Sequence, residues 1–213
     1  MTASVLELTM YSKLQVFFEE HGFVLIADKK QFRKKTAFGF RNVIFTVTDY
    51  DDEKWIEVNF GVRHQEIEKI AQQFIGNSRE FWDEANTLVV SIGKFNKAKY
   101  FRFKVSTEDD LVDTCLEIRK FMTHQGFSFL RNSEKLGQLN LILNGTMHLP
   151  CPFLYNQIHR CFKGLIAAKL AGHHDFLKLS EQYRSQVTKL GGSDDDLIAF
   201  ERLVSFLLYW SVN

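Results

Sequence analysis

The chain of 213 residues predicts an α+β fold: an antiparallel meander of about five strands with helices packed on one face, followed by an antiparallel helical segment at the C-terminus. Three observations predict it. Ile56, Val58, Phe60 and Val62 alternate with Glu57, Asn59 and Arg63, the period of two that marks a half-buried strand. Met10, Leu14, Phe17, Phe18 and His21, and later Leu111, Cys115, Ile118 and Met122, recur at helical spacing. Beyond Pro150 and Pro152, the only two prolines, the pattern is helical throughout. These prolines mark the expected boundary between an α+β domain over residues 1–149 and a three-helix segment over 150–213, packed as one unit.

The elements follow in order. A first helix is expected over residues 4–21, with Gly22 as its left-handed cap. Phe23–Ile26 reads as a short strand and Asp28-Lys29-Lys30 as a turn. Gln31–Thr36 reads as an edge strand guarded by Arg33, Lys34 and Lys35. Val43, Phe45 and Val47 share one face of the strand that pairs with residues 55–63, and Tyr50-Asp51-Asp52-Glu53 forms the connection. Gln65–Ile75 reads as an amphipathic helix, Thr87–Ile92 as a strand and Gly93–Ala98 as a loop. Tyr100–Val105 alternates again, Phe101, Phe103 and Val105 inward and Tyr100, Arg102 and Lys104 outward. Ser106 with Asp109 has the spacing of a capping box for a helix ending at Gly126. A helix from Asn132 to Leu143 is rich enough in leucine to predict burial on several sides. Helices are then expected over 153–170, from Asp175 to Leu190, and from a Ser193/Asp196 capping box through Trp210.

Composition narrows the function classes. With 45% apolar residues the chain is of the ordinary globular type, and a net charge of +1 gives no polyanion-binding signature. Its opening residues lack the basic start of a signal peptide, and Leu203–Trp210 is far short of the ~20 apolar residues of a membrane span. Cys115, Cys151 and Cys161, odd in number and irregularly spaced, read as free thiols of a cytoplasmic protein.

No phosphate loop, dinucleotide fingerprint, nucleophile elbow or zinc-protease motif is present, so no catalytic residue and no cofactor are expected. The carboxylates Asp49, Asp51, Asp52 and Glu53 read as a solvated hairpin tip rather than a cation loop. His148, Cys151, His159 and Cys161 have no zinc-site spacing, and core cysteines are the expected reading. His173 and His174 fall at an interhelix turn beside Asp175, an N-cap candidate. The set that remains is Trp55, Arg63, Tyr100, Arg102 and Lys104, outward residues that mix aromatics with cations. Such a face suits an acidic protein surface, or the bases and phosphates of a single-stranded nucleic acid, or is simply a solvated sheet face.

Phe32-Arg33-Lys34-Lys35, Val43-Ile44-Phe45 and Ile56-Glu57-Val58-Asn59-Phe60-Gly61-Val62 resemble motifs of small bacterial α+β domains of unknown function. Some of those resemble immunity proteins, which sit beside toxins and neutralise them. The resemblance covers residues 5–65 and implies a protein-binding role without catalytic residues. The leading expectation is therefore a non-enzymatic bacterial protein, with single-stranded nucleic-acid binding and an unrecognised hydrolase as alternatives.

Overall fold

The computed structural model describes residues 4–98, 100–172 and 174–210. His173 lies outside the described residues. The fold is α+β, and the chain forms two compact units, Met1–Val62 with Val89–Asn132, and Arg63–Leu88 with Ser133–Asn213. This division differs from the boundary expected at the prolines. The segment after residue 132 and the 63–88 segment both belong with the C-terminal helices.

The first unit opens with helix α1 (Val5–Glu20), held at its start by a reciprocal Ser4/Glu7 capping box. Gly22, at φ +79°, turns the chain out of it. Strands β1 (Val24–Ile26), β2 (Gln31–Thr36), β3 (Gly39–Tyr50) and β4 (Glu53–His64) follow, and β5 (Leu88–Ser91) continues the order β1-β2-β3-β4-β5. β2 is not the edge strand, because β1 pairs antiparallel with its first half through Leu25 and Phe32; only Lys34–Thr36 lie beyond the reach of that short neighbour. The sheet is not a plain meander either. Strand β6 (Phe103–Val105) returns to β4, setting Lys54, Trp55 and Ile56 opposite Val105, Lys104 and Phe103.

Between β5 and β6 the expected loop contains a one-turn helix, α3 (Ile92–Phe95), capped by the Ser91 hydroxyl. Helix α4 (Glu108–Phe121) starts one residue later than expected, with Thr107 and Asp110 forming the box. It does not end at Gly126: a π-turn over Met122–Gly126 passes it directly into α5 (Phe127–Ser133).

Aromatic side chains knit this unit together. Phe18 of α1 stacks on Phe32 of β2 at 4.4 Å, and Tyr11 meets Phe32 and Phe45 edge-on. Phe60 of β4 contacts Phe95, Phe121 and Phe129 at 5.2–5.5 Å between centroids. Ile56, Val58, Phe60 and Val62 are all buried, as the alternation predicts. The alternation itself stops at Phe60, since Gly61 through His64 are buried on both sides.

In the second unit, α2 (Gln65–Ala71) precedes α6 (Leu136–Asn144), α7 (Gln157–Leu170), α8 (Phe176–Lys189) and α9 (Asp194–Tyr209). α9 carries the expected Ser193/Asp196 capping box. Asp175 sits at the N-cap of α8 without a capping side-chain bond. α6 is not buried on several sides; Leu139 and Leu143 are enclosed and Leu141 is 63% exposed.

A buried polar cluster joins α2, the 77–87 segment and α7. Glu68 is inaccessible and pairs with Lys163 at 3.0 Å, while Thr87 and Gln72 donate to its two oxygens at 2.9 and 2.7 Å. Lys163 also donates to the Asn86 carbonyl at 2.6 Å. Every partner needed to hold these charges out of water is supplied from within the unit.

Candidate protein-binding face

The β4–β6 pairing brings Trp55, Arg102 and Lys104 together, and Tyr100 lines a cleft with Arg102. Trp55 and Lys104 are cross-strand partners, so their side chains stand beside each other on one face. The Lys104 ammonium lies 5.0 Å from the centre of the Trp55 ring and the Arg102 guanidinium 5.8 Å from it. Tyr50, from the end of β3, stacks on the same ring at 4.6 Å with only 12° between planes. Two carboxylates hold the cations in place: Glu53 pairs with Lys104 at 3.3 Å and Glu57 with Arg102 at 3.7 Å. Glu53 also accepts from the Trp55 indole N–H at 2.5 Å, which fixes the ring against the strand. That bond, with Lys104, holds the Glu53 carboxyl below its ordinary range.

Arg63 is not part of this face. It is 3% exposed, and its guanidinium donates to the carbonyls of Trp82 and Ala85 at 2.7 and 2.8 Å and to Gln65 at 3.0 Å. Alternation places it outward only while the other side of the strand is wet. Here that side is closed, and the cation serves to tie the 82–85 carbonyls.

Phe101, expected inward, is 43% exposed. The extended conformation begins only at Phe103, because Tyr100 adopts φ +58°. Lys97, at φ +60°, is a second left-handed residue in the same connection. Tyr100 is thereby left 97% exposed. Gly93 makes room for its neighbour: a Cβ there would sit 2.6 Å from that of Phe101.

Phe101 forms a ridge between two clefts of the first unit. One, of about 530 Å³, is lined by Glu57, Ser91, Lys94, Lys97, Tyr100 and Arg102. The other, of about 360 Å³, has an apolar floor of Ile92, Phe103 and Phe121 under Glu117, Lys120 and His124. The π-turn at Met122–Gly126 borders this second cleft, a helix irregularity that recurs at functional sites.

Asp51 and Asp52 form the exposed β3–β4 turn, with Asp49 bonded to Lys54. Cys115, Cys151 and Cys161 are buried and outside any disulfide. Among the described residues, no three His, Cys, Asp or Glu side chains converge as a metal-binding group, and no helix is long and apolar enough to cross a membrane. Comparison with protein-family models, with curated proteins and with solved structures gives no match.

Proposed function

We propose that this chain is a non-enzymatic bacterial protein of the cytoplasm that acts by binding another protein, through the face built on Trp55, Tyr100, Phe101, Arg102 and Lys104. The observation that carries the reading is Tyr100, an aromatic side chain 97% exposed on a left-handed backbone, next to an exposed phenylalanine ridge between two clefts. Aromatic and arginine side chains are the usual anchors of protein interfaces: the aromatics bury much area for little lost rotamer entropy, and arginine supplies a planar fork of N–H donors. The charge arrangement favours a protein over a nucleic acid. Arg102 and Lys104 each face a carboxylate within 4 Å, and those carboxylates would repel a phosphate backbone. The three thiols, outside any disulfide, accord with a reducing compartment.

Affinity capture from source-cell lysate tests this, with wild-type chain and the exposed-site variant Tyr100→Ser/Arg102→Glu as baits. The expected result is a protein retained by the wild type and lost from the variant. Identical captured sets, or fluorescent oligonucleotide binding that weakens steeply with salt, would overturn it.

A further inference from the structure

Arg160 of α7 is 4% exposed. Its Nε donates to the Leu143 carbonyl at 2.9 Å and its Nη2 to that of Thr146 at 3.0 Å, and Nη1 donates to Leu149. These carbonyls close the end of α6 and the turn after it, where a cation is favoured by the helix dipole. They bring no full negative charge, and among the described residues no carboxylate pairs with this guanidinium. Arginine is permanently charged and carries more N–H donors than these carbonyls use.

A cavity of about 150 Å³ opens beside it, walled by Met147, Gln157 and Gln186. Cys161 and Tyr183 join Arg160 in its deeply buried floor, while His148, Leu149 and Leu190 form an exposed rim. Neither floor residue neutralises the cation. Burial pushes the Cys161 thiol up to about 12 and raises the Tyr183 phenol as well, so both stay protonated at neutral pH. The capping bonds explain where the guanidinium sits. They do not explain an open, rimmed cavity that ends on it.

We infer that this cavity binds a small oxyanion, of carboxylate or phosphate type, through charge-assisted hydrogen bonds from Arg160. Its volume is well below the ~300 Å³ at which pockets begin to hold drug-sized ligands, which excludes nucleotides. Such bonds are short and roughly twice as strong as neutral ones. The cavity shares no lining residue with the Trp55 face, and the inference does not rest on the function proposed there.

Thermal unfolding of the full chain, titrated with sodium phosphate, sodium acetate or sodium chloride at matched ionic strength, tests it. A ligand that binds only the folded state raises Tm saturably. The expected result is a saturating rise with phosphate or with acetate, the responding salt identifying the type of oxyanion, and none with chloride. Gln186→Glu places a carboxylate in the cavity wall and is expected to abolish the response; if it does not fold, Leu190→Glu at the exposed rim takes its place. Equal, non-saturating shifts in all three salts, or an unchanged response in the folded variant, would overturn the assignment.

Discussion

Lys163 and Glu68 form a buried ion pair within the second unit. Removing one member of a buried ion pair leaves the other charged and enclosed, at a cost of roughly 3–5 kcal/mol. Lys163→Met is therefore expected to lose about that much, since Glu68 would keep only the Thr87 and Gln72 donors. Urea denaturation measures it, and a loss below about 1 kcal/mol would mean that water reaches the pair. Two histidines of the same unit set a pH dependence. Burial holds His64 below the usual imidazole range against the opposing pull of Glu66, Glu68 and Glu134. Burial does the same to His159, helped by Lys163. Below an unfolded-state pKa of about 6.5 the unfolded chain binds more protons than the folded one. Stability is accordingly full above about pH 6.5 and declines as the pH falls toward the lowered folded values. The urea midpoint is expected to drop between about pH 7.5 and pH 5.5, and to drop less in His64→Gln; an equal drop in both would remove His64 as a cause.

At the scale of elements, β4 anchors the first unit through Phe60, which is fully buried against three other rings. Phe60→Asp is expected to abolish cooperative unfolding, because an unpaired carboxylate cannot be accommodated there; a retained sharp melting transition would contradict the strand register. This strand was legible from its alternation between Trp55 and Phe60, as α9 was from Ser193 and Asp196, because period and cap chemistry are local properties. What was not legible depends on contacts distant in sequence. Arg63 has the spacing of an exposed residue, but Trp82 and Ala85 enclose it. Phe101 has the spacing of a core residue, but the left-handed Tyr100 delays the strand, and Gly93 permits the resulting close approach. Gly126 has the look of a stop, yet the helix continues through it by shifting to π geometry, with Met122 and Phe121 packed around the site where a Cβ would go. Thr107, not Ser106, is the cap, and the sequence does not rank the two because either hydroxyl has an aspartate three residues on, at Asp110 or Asp109.

At the scale of the molecule, the first unit brings aromatic anchors, engaged cations and one cleft to the Trp55 side of β4 and β6, Phe101 divides that cleft from a second one lined by Phe103 and α4, and the second unit carries a closed ionic cluster. The five residues first singled out gave the centre of the Trp55 side through Trp55, Tyr100, Arg102 and Lys104. The clefts, with Phe101 between them, emerge only from the return of β6 to β4. The most direct measurement is site-specific photo-crosslinking in source cells, with a photoreactive phenylalanine derivative in place of Tyr100 and, as a control, of the exposed Leu177 of α8. A discrete protein adduct is expected from position 100, absent from position 177 and abolished by Arg102→Glu. Adducts to nucleic acid alone, or the same adducts from both positions, would contradict the proposed function.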